Sequence, residues 1–134
     1  MDVHKWITGY FLTMEKILVS ACLLGVNCRY DGKNAYRKKV VALLKNNYVI
    51  FACPEQLGGL STPRVRNEIK GKKVISDNGI DVTDNFYRGA REFVALAKMF
   101  GIKRLILKSK SPSCGKNGIV TQLLPKGLKV EYIK

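Results

Sequence analysis

The chain has 134 residues and a mass of 15.0 kDa, the length of one domain, and 46% apolar, 9% aromatic and 25% charged residues exclude the disordered, collagenous and membrane classes. A domain of this size buries about two thirds of its unfolded surface, so neither disulfides nor a structural metal is needed merely to keep it folded. Its 24 Lys and Arg against 10 Asp and Glu give a net charge of +14, which favours encounter with nucleic acids, nucleotides or other anions without dictating fold or chemistry.

Residues 1–13 carry an apolar patch, Trp6-Ile7-Thr8-Gly9-Tyr10-Phe11-Leu12, that is too short for a signal peptide and is followed by no small-residue cleavage pattern. Met14 stands just before the first strand, so residues 1–13 read as an appendage and 14–134 as a single domain. No run approaches the ~20 apolar residues of a membrane span, and a cytoplasmic location is expected with no membrane partner. Residues 17–21 (ILVSA) form a short apolar run, the pattern of a strand covered on both faces. A loop with Cys22 and Cys28 leads to Asp31-Gly32, and residues 34–45 place Ala35, Val40, Val41 and Leu44 near helical spacing.

A second buried strand, residues 48–52, ends at Cys53-Pro54. Residues 61–78 make a long irregular excursion, with a small hairpin pairing 74–75 with 80–82 around Asp77-Asn78-Gly79. Thr83 is placed to cap a helix over residues 84–100, whose apolar face holds Phe86, Ala90, Phe93, Val94, Ala97 and Phe100. A third strand follows at 104–107, then a loop at 109–115 with Cys114, a short helix at 119–124 and a last strand at 128–132. Alternating strands and helices of this kind predict an α/β three-layer sandwich, a doubly wound, mainly parallel four-stranded sheet of Rossmann or flavodoxin type. Ligands of such sheets sit beyond the carboxyl ends of the strands, where Cys22, Cys53 and Cys114 all fall.

Four cysteines in a reducing compartment are not a disulfide framework. Their spacing matches neither a zinc knuckle nor a ferredoxin run, and buried cysteines also serve as small hydrophobes. These, however, lie in or at the start of loops rich in Gly, Pro and Ser. In Lys108-Ser109-Lys110-Ser111-Pro112-Ser113-Cys114-Gly115 the neighbouring ammonium groups are expected to lower the thiol pKa of Cys114. Three thiolates on one rim suit an iron–sulfur cluster with an open site. Zinc is the alternative, held by three thiolates and water or by four if Cys28 joins.

Ser20-Ala21-Cys22-Leu23-Leu24-Gly25, Arg29-Tyr30-Asp31-Gly32, Cys53-Pro54-Glu55-Gln56-Leu57-Gly58-Gly59, Thr62-Pro63-Arg64, Asp81-Val82-Thr83 and the Lys108 to Gly115 motif stand in an order that is informative. Together they resemble the domain-of-unknown-function family that includes the iron–sulfur-dependent bacterial 2-thiouracil desulfidases. The resemblance implies a 4Fe-4S cluster held by Cys22, Cys53 and Cys114, with one iron open to substrate sulfur and Cys28 left as a spare. It implies non-redox desulfuration of a thiolated pyrimidine base or nucleoside, C=S to C=O with release of sulfide, in which an open iron polarises the thiocarbonyl. Glu55 would activate water and Ser111 would hydrogen-bond or relay a proton. Glu55 reads otherwise as a helix-start carboxylate and Ser111 as a turn serine before Pro112.

Arg29, Arg64 and Lys108 are candidates to steady an anionic or nucleotide-like substrate, each being otherwise a solvated cation. One departure stands out: Gly115 runs through Lys116-Asn117 directly to Gly118, whereas relatives usually have a further segment here, so the substrate pocket is expected to be remodelled. The alternative from another class is a basic, non-catalytic protein that binds RNA or a metal through the same rim, its four cysteines forming a closed structural site. No helix-turn-helix, zinc-finger or RNP pattern accompanies the scattered lysines.

Overall fold

A computed structural model describes residues 14–134; the appendage expected for 1–13 lies outside the described residues. Strand β1 (Glu15–Ser20) is the centre of the molecule, and its Ile17, Leu18 and Val19 are fully buried, as an apolar run packed on both faces requires. It pairs in parallel with β2 (Asn47–Ala52) on one side and β5 (Arg104–Lys108) on the other, and β6 (Lys129–Ile133) adds in parallel beyond β5. The order β2-β1-β5-β6 is the expected doubly wound sheet.

Alternate side chains of the same strands serve opposite cores. Leu18, Leu105 and Leu107 pack under α3 (Thr83–Met99) and α4 (Ile119–Leu123), with Phe86, Phe93, Ile119 and Val120 filling the layer. Ile17, Val19 and Ile106 face the other way, onto Leu23, Ala35 and Val40 of the β1–β2 connection. That connection holds α1 (Lys38–Val41), which tightens into a 3-10 turn at Ala42–Lys45. The chain thus leaves β1 over one face and β5 over the other. Between their carboxyl ends the two loops part and open a crevice, where ligands of this architecture bind.

The first helix is shorter than the predicted 34–45. The amides of Ala35 and Arg37 donate to the carbonyls of Cys22 and Leu23, at 2.9 and 3.0 Å, which holds residues 34–37 extended. The hairpin also differs: β3 (Asn67–Lys70) pairs antiparallel with β4 (Lys73–Ser76). Its turn places Gly71, φ +64, at the first central position, where a two-residue II′ turn takes glycine. The expected pairing of 74–75 with 80–82 survives as a bridge between Ile75 and Asp81 beside β4. Thr83 begins α3 but does not cap it; its Oγ1 accepts from the amide of Val74 at 2.9 Å, and the Asp81 carboxylate takes the Thr83 amide.

A helix not expected from the sequence, α2 (Pro54–Leu57), follows β2 with proline in its first turn, where a missing N–H costs nothing. It lies hard against α3 because both helices meet through glycine. A Cβ on Gly89 would stand 1.8 Å from the Pro54 carbonyl oxygen, and one on Gly58 would stand 2.1 Å from the Asn85 carbonyl oxygen. Backbone cannot yield as a flexible side chain does, so Gly89→Ala should lower stability by about 1–3 kcal/mol or more. A shift of the urea midpoint reads it, and an unshifted midpoint would mean that α2 moves freely.

Candidate active site

Eight side chains singled out in the sequence line one cavity of about 330 Å³ at the carboxyl ends of β1, β2 and β5: Cys22, Cys53, Cys114, Glu55, Ser111, Arg29, Arg64 and Lys108. Each cysteine arrives by its own device. Cys22 rides a 3-10 turn, Ala21–Leu24, which closes on Gly25 at φ +101 with the Gly25 amide donating to the Cys22 carbonyl at 3.2 Å. Cys53 precedes α2 at its N-terminus. Cys114 sits in a tight turn in which the Gly115 amide donates to the Ser111 carbonyl at 2.8 Å, and a Cβ on Gly115 would come within 2.6 Å of that same oxygen.

Cys28 also lines this cavity and is 2% exposed. Its thiol lies beside both Cys22 and Cys53, and Cys53 Sγ, while protonated, donates to the Cys28 carbonyl at 3.7 Å. The one hydrogen that the Cys28 thiol can give to a neighbouring thiolate is the main reason Cys22 and Cys53 lie below the ordinary thiol range, Cys53 at about 7. For Cys53 the Gln56 amide at the start of α2 and the Arg64 charge add to the effect; for Cys22 the charges of Lys108 and Arg29 do. Cys28 itself is held strongly protonated, because ionising would forfeit its hydrogen bond to the neighbouring sulfurs and place a charge in a buried site. All four cysteines are free thiols.

Cys114 corrects the sequence reading. Its pKa is raised, not lowered: burial dominates, and hydrogen bonds from Ser20 and Ser113 offset it only in part, while charge on Cys53 or Cys22 would raise it further. The lysines of its own loop do not govern it, and the charge of Lys108 acts on Cys22 instead. With no metal bound, alkylation should therefore reach half-buried Cys53 first, at a rate that rises through about pH 7 and levels above it as the thiolate fraction saturates. Cys114 should react last. Mass spectrometry of iodoacetamide-treated protein checks the order; Cys114 modified first would overturn it.

Glu55 is 8% exposed, and both of its oxygens are held. Arg64 Nε donates to Oε1 at 2.9 Å and Ser113 Oγ donates to Oε2 at 2.8 Å. The Arg64 guanidinium is otherwise spent on the chain: Nη2 donates to the Cys28 carbonyl at 2.8 Å, and Nη1 to the Ser61 carbonyl and Thr62 Oγ1 at 3.1 and 3.0 Å. It ties the excursion to the cysteine rim and has few donors left for a ligand. Arg29, paired with Asp31 at 3.3 Å, and Lys108, whose Nζ donates to the Ser109 carbonyl at 3.1 Å, remain the cations near Cys22. Arg66, Lys110 and Ser113 also line the cavity, and the sequence reading had not singled them out. Ser113 was within reach, since it sits inside the quoted motif between Ser111 and Cys114.

Among the described residues no three Cys, His, Asp or Glu side chains gather closely enough to hold one metal ion. A tetrahedral zinc would draw its thiolates to about 3.8 Å from one another. Soft sulfur donors brought by separate loops to one cavity of about 330 Å³ suit a polynuclear iron–sulfur cluster better than a single ion. Among the described residues no helix is long and apolar enough to cross a membrane.

A family model for 2-thiouracil desulfurase matches residues 17–130. The chain is 42% identical over 109 residues to the uncharacterized protein YbbK of Bacillus subtilis (strain 168), a match covering 74% of this chain and 72% of that one. Its structure is similar to that of a [4Fe-4S]-dependent thiouracil desulfidase, TudS (DUF523), with a TM-score of 0.81 and 38% identity over 88% of this chain and 90% of that one.

Proposed function

The chain belongs to the 2-thiouracil desulfurase family, and on that premise we propose that it is an iron–sulfur-dependent desulfidase converting the thiocarbonyl of a thiolated pyrimidine base or nucleoside to a carbonyl. The observation that carries this reading is the meeting of Cys22, Cys53 and Cys114, from three separate loops, with Glu55 at one cavity in the crevice of the sheet. Cys22, Cys53 and Cys114 would hold a 4Fe-4S cluster. Cys28 is the fourth thiol of the cavity and stays outside this ligand set. When bound, the cluster supplies a Lewis-acidic iron able to take a soft sulfur donor.

The chain's own residues do the remainder. Arg64 and Ser113 fix the Glu55 carboxylate at the cavity wall, where it removes a proton from the attacking water. Arg29 and Lys108 lower the cost of negative charge at the mouth, whether carried by the substrate or by the departing sulfide. The basic surface gives the same preference at longer range, for a nucleotide or RNA contact. Four free cysteines suit the cytoplasm, and residues 14–134 read as one desulfidase domain.

Anaerobic reconstitution with iron and sulfide, followed by a thiopyrimidine panel, tests the proposal. The expected product is brown protein with about four irons and four labile sulfides per chain, releasing sulfide from 2-thiouracil or 4-thiouridine. Protein that binds zinc alone, or binds iron but releases no sulfide, would refute it and favour the closed four-cysteine site.

A further inference from the structure

Between the two side chains expected to handle protons, Glu55 and Ser111, the structure inserts a third. Ser113 is 3% exposed, its Oγ donates to Glu55 Oε2 at 2.8 Å, and it stands 3.0 Å from Ser111 Oγ. Counting hydrogens gives the direction of the chain. A carboxylate brings none, so Ser113 gives its single hydroxyl hydrogen to Glu55 at 2.8 Å in preference to the Cys114 sulfur, which stands 3.9 Å away. The contact between the two serines is then filled by the hydrogen of Ser111. Ser111 Oγ accepts in turn from the amides of Ser113 and Cys114, at 3.2 and 3.1 Å. While Glu55 is ionised, Ser111 lines the cavity with no hydrogen left to offer it. Only when a proton arrives at Glu55 can the two hydroxyls turn over and Ser111 point one inward.

We infer that Ser113 is a positioning residue that also carries the proton, joining Glu55 to Ser111 so that what is taken from water at one wall of the cavity is delivered at the other. The inference rests on the desulfidase reading and adds a route to it. Water oxygen bonds to the thiocarbonyl carbon, the C=S π pair withdraws onto sulfur, and one water proton goes to Glu55. Glu55 passes it to Ser113 Oγ, Ser113 passes its own to Ser111 Oγ, and Ser111 passes its own to sulfur. The C–S bond breaks with its electron pair on sulfur, which leaves as hydrosulfide. The proton on the new hydroxyl goes to the regenerated carboxylate and on to solvent as the carbonyl forms. The sum is thiocarbonyl plus water to carbonyl, hydrosulfide and one proton, with every side chain restored and no electron acceptor required.

The test uses reconstituted protein of matched iron content. Ser113→Ala should lower kcat about 10- to 100-fold with KM unchanged, as loss of one proton-transfer partner would, and Ser113→Thr should restore most of it. In mixtures of light and heavy water the wild-type rate should fall along a curve, the mark of several protons in flight, and along a straight line in Ser113→Ala. Should Ser113→Ala lose its iron, Ser111→Ala breaks the same route and should give the same straight line. Wild-type kcat and a curved plot in either alanine variant would overturn the inference while leaving the desulfidase reading intact. Loaded wild-type protein that releases no sulfide would overturn both.

Discussion

Cys114→Ala should leave the reconstituted protein without its cluster and without measurable sulfide release, whereas Cys28→Ala should keep both. The two cysteines are almost equally buried, 4% and 2% exposed, so loss of packing alone would not separate them. What separates them is position. Cys114 is the only described cysteine on the β5 loop, and removing it strips one wall of the cavity of its thiol. Its raised pKa also means that metal must displace a tightly held proton, so binding there should strengthen steeply with pH. Cys28 lies beside Cys22 and Cys53 at the cavity but outside the proposed ligand set, and hydrogen-bonding partners of ligands typically change metal affinity by about 10- to 100-fold. Cys28→Ala should therefore lose iron faster to a chelator but still load fully under anaerobic excess. Iron and labile-sulfide analysis of both variants decides the matter, and colourless Cys28→Ala beside brown Cys114→Ala would exchange their roles.

Glu55→Gln should cut sulfide release by about 10²- to 10⁴-fold, the usual worth of a positioned general base, with iron content unchanged. Gln is the better probe than Ala for an energetic reason. The side chains of the Arg64–Glu55 pair are only 6% and 10% exposed. Stripping one partner from a buried pair costs about 3–5 kcal/mol, chiefly because the remaining charge is stranded. Gln keeps the shape, and its oxygen can still accept from Arg64 or Ser113, so lost turnover would report on chemistry rather than on collapse of the rim. Thermal unfolding of both variants separates the two effects. A Glu55→Gln enzyme with wild-type turnover would remove this carboxylate from the reaction.

The sheet was legible because its signal is local. Runs such as Ile17-Leu18-Val19 and Leu105-Ile106-Leu107 are short, apolar and rich in branched residues, the pattern of strands covered on both faces, and they are buried as such. The meeting of Cys22, Cys53 and Cys114 was legible at one remove, since parallel topology sends all three loops to the same end. What stayed hidden depends on distant backbone. Residues 34–37 look helical until the carbonyls of Cys22 and Leu23 claim their amides. Arg64 reads as a free cation until Glu55 and the Cys28 carbonyl appear beside it. The sign of the Cys114 shift was misread because a loop with lysines on paper is a dry interior in space. The contact of Cys28 with two neighbours has no local signature either, as its place is set by the loop that closes through Gly25.

The strand order has a consequence for how such an enzyme matures. β1 is paired on both edges, and its second partner, β5, is made only after α3. A chain emerging from the ribosome therefore carries Cys22, Cys28 and Cys53 before Cys114 can join them. The three-thiol set on which the proposed cluster depends is therefore complete only after β5 has docked beside β1 and brought its loop to the cavity that Arg29 and Lys108 line.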